Sequence, residues 1–168
     1  EGEQGPVGHS GNANVKTGTI SPTDAEWLYA STYWMTTQGV SSTGYYSRYV
    51  DISVAEITPE IISTGMVCVS FIAYPSGTRW TALPMQFKST FGDYMVTIAY
   101  EVMEGMIRLH YFNMPTSAGV TLPDLETIEI PTYSFKYTVI EGVALTAMAA
   151  DGVNVSDLGS VMEYLAAE

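Results

Sequence analysis

The segment YMVTIAYEVMEGMIRLHYFN, residues 94–113, constrains the fold more than any other stretch of the chain. A two-residue turn at Glu104-Gly105 folds it back on itself. Val102 then faces Ile107, Tyr100 faces Leu109 and Ile98 faces Tyr111, all on one apolar face. The other face sets Glu101 opposite Arg108 and Ala99 opposite His110, with Met103 and Met106 paired beside the turn. Sliding either strand by one residue would bring apolar side chains against charged ones, so the pattern itself specifies the register. Glu-Gly is less typical of such a turn than Asn-Gly, which leaves room for a bulged variant.

The flanking sequence repeats the theme of short strands. VKTGTI and AEWLYA are candidate strands, and YYSRYVDISV places Tyr46, Val50, Ile52 and Val54 on one face. Arg48 interrupts that face and must lie near an edge or pair with an acid. Between them, STYWMTTQGVSSTG is polar and rich in Gly, Ser and Thr, and reads as a loop. In TPEIISTG, Thr58 is an N-cap, Pro59 takes the first helical position and Gly65 follows the end of a short helix. MVCVSFIAY is a central strand, apolar on both faces. TRWTALPMQFK is its return, with Pro84 forcing an edge or a bulge. TIEIPTYSFKYTVIEG is the last long strand region, broken at Pro131. Leu158, Val161, Met162 and Leu165 recur at helical spacing after Ser156, a candidate cap, so a short helix closes the chain. Many strands and two short helices predict an all-β fold, an antiparallel β-sandwich.

The front of the chain is different. Gly2, Gly5, Gly8 and Gly11 fall at a strict period of three, with Pro6 directly after one of them. That is the Gly-X-Y pattern of collagen, in which only glycine fits the crowded axis. Residues 1–14 therefore read as a collagen-like tail or linker and residues 15–168 as the sandwich domain. Four triplets supply little association energy, so the isolated chain is expected to be a monomer.

Charge and cysteine usage narrow the function. Eighteen acids against six bases leave a net charge of −12. Such a surface repels phosphates, which disfavours nucleic acid and docking on anionic lipid by charge alone. Cys68, the one cysteine, sits in an apolar strand and reads as a buried, inert thiol.

No catalytic constellation emerges, and no cofactor or metal is expected. His9 falls in the tail and His110 on the more polar hairpin face, so both read as surface histidines. A Ser-His-acid triad could use His110, but no Gly-x-Ser-x-Gly elbow marks a nucleophile. DGVNVSD, residues 151–157, has oxygen ligands at the wrong spacing for an EF-type calcium loop and reads as a turn into a helix cap. The remaining hint is aromatic. Trp27, Tyr33, Trp34 and Tyr46 stand within a Tyr/Trp-rich first third and are candidate ligand-binding residues, for a surface glycan or a protein.

Several segments together resemble one family, the collagen-like cell-envelope lipoproteins of Bacteroidetes. GEQGPVGHSG and NANV (Asn12 to Val15) resemble its triplets and junction. SVAEITPEIISTGMVCVSF (Ser53 to Phe71), RWTALPMQF (Arg79 to Phe87), SFKYTVIEG (Ser134 to Gly142) and SDLGSVMEYL (Ser156 to Leu165) are similar to its β-rich domain. The resemblance implies a surface-exposed outer-membrane lipoprotein, anchored through a residue upstream of Glu1. It implies a non-catalytic role in adhesion or envelope structure, with a carbohydrate-binding module as the alternative. It brings no catalytic residue with it.

Overall fold

The computed structural model describes residues 14–36, 41–72 and 78–167. The Gly-X-Y stretch lies outside the described residues. The chain runs β1 (Val15–Ile20), β2 (Leu28–Thr36), β3 (Ser42–Ser53), α1 (Pro59–Thr64), β4 (Met66–Ile72), β5 (Thr81–Ala82), β6 (Met85–Lys88), β7 (Tyr94–Met103), β8 (Met106–Pro115), β9 (Ser134–Ile140), α2 (Gly142–Ala150) and α3 (Leu158–Ala167). Two antiparallel sheets pack as a sandwich, one ordered β1-β9-β4-β5 and the other β2-β3-β8-β7-β6.

The β7–β8 hairpin has the register its pattern demands: Val102 pairs with Ile107, Tyr100 with Leu109, Ile98 with Tyr111 and Glu101 with Arg108. Gly105 takes φ 71° while Glu104 stays at negative φ, so only the glycine needs left-handed backbone. The turn is tied down from outside, because the Gly105 N–H donates to the Ile57 carbonyl at 2.7 Å and its own carbonyl accepts from Val54 at 2.8 Å. Ile98, Ile107 and Leu109 are fully buried and meet Val69, Phe71, Phe135 and Val139 of the other sheet.

α1 begins and ends as its caps require: the Thr58 hydroxyl accepts from the Ile61 N–H, Pro59 opens the helix and Gly65 closes it. The return strand after β4 is split between sheets. β5 edges the four-stranded sheet and β6 edges the five-stranded one, and the chain crosses between them at Leu83-Pro84. Proline is tolerated there because neither edge needs its missing N–H.

Four sequence-level expectations are corrected. The polar stretch read as a loop forms most of β2 and the start of β3, paired from Ser31↔Ser47 to Thr36↔Ser42. Its Thr and Tyr content suits a strand, and the pairing partner lies only a short connection away. The AEWLYA strand is delayed: Asp24–Glu26 form a 3-10 turn and β2 starts at Leu28. The last strand starts only at Ser134. Upstream of it, side chains replace the ladder. Arg48 Nη1 donates to the Ile128 carbonyl at 2.6 Å and the Ile130 N–H donates to Asp24 Oδ1 at 2.9 Å. Finally, two helices close the chain rather than one. The cap of α3 is Asp157, not Ser156, since the Asp157 carboxylate accepts from the Gly159 and Ser160 N–H groups. α2 and α3 cover one end of the four-stranded sheet through Ile140, Met148 and Val161.

Candidate functional site

The aromatic-rich segment becomes the β2–β3 hairpin at the edge of the five-stranded sheet, and strand alternation splits its residues between two faces. Tyr33, Tyr45, Ser47, Tyr49 and Asp51 point to the outer face. Trp34, Tyr46 and Arg48 point to the side on which, further along β3, Val50 and Ile52 enter the core.

On the outer face the side chains are locked together. Tyr33 and Tyr45 both stack on Phe112, with centroid separations of 5.2 and 5.3 Å, and Tyr33 also lies against the His110 ring at 5.1 Å. His110 Nδ1 is 2.8 Å from Ser47 Oγ and its Nε2 is 3.0 Å from Glu101 Oε2. A carboxylate only accepts, so Nε2 carries the proton and Nδ1 accepts from the Ser47 hydroxyl. Burial lowers the His110 pKa below its ordinary 6.5, against the opposing pull of Glu101. Arg108 grips Asp51 with two hydrogen bonds of 2.7 and 2.8 Å, and its guanidinium sits 4.4 Å above the Tyr49 ring centre.

His110 is thus corrected from a surface histidine to a fully buried one. The hairpin's polar face reads as wet because nothing in its own sequence covers it; the tyrosines of β2 and β3 do. Glu101 and Arg108 are opposite in register but turn to other partners, His110 and Asp51. The Ser47–His110–Glu101 array has the residue types of a triad without its access. Ser47 and His110 are both completely buried, and β3 is paired on both sides, so its N–H groups serve the ladders rather than an oxyanion hole.

Trp27 is also corrected, from candidate ligand residue to core. It is buried, edge-on to Tyr111 and Phe135, and its carbonyl accepts from Arg48 Nη2 at 2.8 Å. Arg48 meets its expected acid: Nη1 is 2.7 Å from Asp24 Oδ1. The Ile130 N–H above all holds the Asp24 carboxyl below its usual range, opposed by desolvation and helped by the Arg48 guanidinium.

The open face is what remains. Trp34 is 63% exposed and Tyr46 is 70% exposed, on the same face of neighbouring strands. Gly44 is directly opposite Trp34, and a Cβ there would come within 3.2 Å of the indole ring. The indole therefore lies down over glycine backbone, with Tyr46 exposed on the same face, while Leu28, paired with Tyr49, is exposed on the other side of the edge strand. Large apolar side chains grouped on a surface mark contact sites more often than single ones do.

Hollows also lie elsewhere among the described residues. A cleft of about 610 Å³ opens between the sheets, lined by Phe87, Tyr94, Tyr111 and Tyr133, with Phe91 93% exposed at its rim. Burial, then the neighbouring Tyr133 and Tyr94, push the Tyr111 phenol far above its ordinary range, so it is a neutral donor there. A smaller hollow of about 250 Å³ lies on the outer face of the four-stranded sheet beside α3. Cys68 borders it, its thiol pushed up to about 11 by burial. Among the described residues no group of three or more His, Cys, Asp or Glu could hold a metal ion.

A comparison with protein families, curated proteins and solved structures returns no match.

Proposed function

We propose that the chain is a non-catalytic recognition module of the cell envelope, anchored by lipid through a residue upstream of Glu1 and acting in adhesion or surface structure. The reading of envelope and anchor rests on the resemblance of the sequence segments. The observation that carries the binding role is the exposed Trp34–Tyr46 pair on an edge hairpin, with the Trp34 indole laid over Gly44.

That pair favours a carbohydrate as the ligand. An aromatic ring presents an electron-rich face, and the polarised C–H groups of a pyranose pack on it. A ring lying over glycine offers such a face to solvent instead of an edge. The acidic surface fits a neutral glycan better than a phosphorylated one.

A glycan array probed with the wild-type chain and with the Trp34→Ala/Tyr46→Ala double variant tests this. Binding of an oligosaccharide that the double variant loses supports the reading. An array with no ligand, or a ligand held equally by the double variant, removes it. The isolated chain is proposed to be a monomer; light scattering should give a mass near 18.3 kDa. A mass three times larger would place trimerisation in the folded domain or its short stem.

A further inference from the structure

The smaller hollow owes its existence to side-chain size. Across the outer face of the four-stranded sheet, Lys136, Ser70 and Ala82 lie in one row on β9, β4 and β5, and Cys68 lies in the next row. Ser70, Ala82 and Cys68 are small and make a low floor. Trp80 and Lys136 stand above it on one side and Met162 of α3 on the other. α2 and α3 seal the far end of the same face but stop at this depression.

The walls are apolar, and the charge on them is a single ammonium group. Lys136 Nζ is held 4.9 Å above the Trp80 ring centre. Three of the six Lys and Arg residues are committed elsewhere, Arg48 to Asp24, Lys88 to Asp93 and Arg108 to Asp51. Lys136 forms no ion pair among the described residues, in a chain of net charge −12. The Asp157 carboxylate, beside Gly159, accepts from the Gly159 and Ser160 N–H groups that it caps and makes no ion pair with Lys136. A cation with no ion-pair partner among the described residues, at the mouth of an apolar hollow, is complementary to an anionic head on an apolar body.

We propose that this hollow binds a small monocarboxylate, its apolar body over Cys68, Ser70 and Ala82 and its carboxylate on Lys136. An apolar cavity of about 150 Å³ holds benzene. A hollow of about 250 Å³ therefore takes a body of roughly eight to ten non-hydrogen atoms. This site is on the opposite sheet from the Trp34–Tyr46 pair and does not depend on the function proposed for that pair.

The test is an NMR titration of the full chain with octanoate, octan-1-ol and octylamine, with calorimetry for affinities. Octanoate should shift the Ser70, Thr138 and Gly159 amides and bind more tightly than octanol; octylamine should bind weakest. Lys136→Met should weaken octanoate about tenfold or more, the scale of a charge-assisted contact, and leave octanol unchanged. Ser70→Leu should fill the hollow and abolish both. If Ser70→Leu fails to fold, Ala82→Leu at the exposed edge strand makes the same block. Octylamine binding as well as octanoate, octanoate affinity surviving Lys136→Met, shifts mapping away from β4 and β9, or no binding at millimolar ligand would each overturn the proposal. The lysine would then simply cover Trp80.

Discussion

The β2–β3 hairpin carries the same residue types on both faces, and they meet opposite fates. On the outer face Tyr33 and Tyr45 are clamped over Phe112 and His110. On the other face Trp34 and Tyr46 stand in solvent. The difference is not in the hairpin but in what lies next to it. β8 sends Phe112 and His110 up beside the tyrosines, whereas the four-stranded sheet, which covers Val50 and Ile52, does not reach Tyr46. Arg48 marks the boundary. It shares a face with Tyr46 and Val50, and its guanidinium closes the end of the core by binding the carbonyls of Asp24, Trp27 and Ile128. An aromatic count in the sequence measures neither fate. Neighbouring strands decide which rings become structure and which stay free to bind.

The comparison can be broken most severely at Phe112. It is fully buried under two stacked tyrosines, so Phe112→Ala should cost about 3–5 kcal/mol. Chemical denaturation measures this, and a loss below about 1 kcal/mol would mean that the outer face is not a packed layer. Next comes the boundary. Arg48→Met removes the donors to three backbone carbonyls but leaves Asp24 where water reaches it, so a loss of about 1–3 kcal/mol is expected. The same denaturation experiment applies, and an unchanged midpoint would make the guanidinium network dispensable.

A smaller effect should follow pH. Burial holds the folded-state pKa of His110 below 6.5, so the unfolded chain binds that proton more readily. Stability contributed by the neutral ring is present above about pH 6.5 and is lost as pH falls through that value toward the lower folded pKa. The thermal midpoint should therefore drop between pH 7.5 and 5.5. In His110→Gln, whose amide can still donate to Glu101 and accept from Ser47, this part of the profile should flatten. A wild-type midpoint that rises on acidification over the same range would contradict a buried neutral ring. The smallest effect on stability belongs to the open face. Trp34→Ala and Tyr46→Ala should each change stability by no more than about 0.5 kcal/mol, as exposed positions do, while removing glycan binding. Destabilisation as large as that of Phe112→Ala would make the exposed pair structural and end its candidacy as a site.

Local chemistry determined a good part of this protein. The β7–β8 register follows from alternation around Glu104-Gly105, and α1 follows from Thr58, Pro59 and Gly65, because each depends on residues within a few positions of one another. The edge placement of Pro84 follows from its missing N–H. That Arg48 needs an edge or an acid partner is legible, but which of the two, and which acid, is not. α2 is not legible because GVALTAMAA is apolar almost throughout, with no one-sided stripe to betray a helix. Only the tertiary structure decided the rest. Ser47 and His110 are 63 positions apart and Arg48 and Ile128 are 80 apart. The burial of His110 and Trp27, the exposure of Trp34 and Tyr46, and the hollow between Lys136 and α3 all arise where such distant segments meet or fail to meet. A strand's sequence sets which side chains share a face; whether that face is core, shield or open surface depends on what the rest of the chain lays against it.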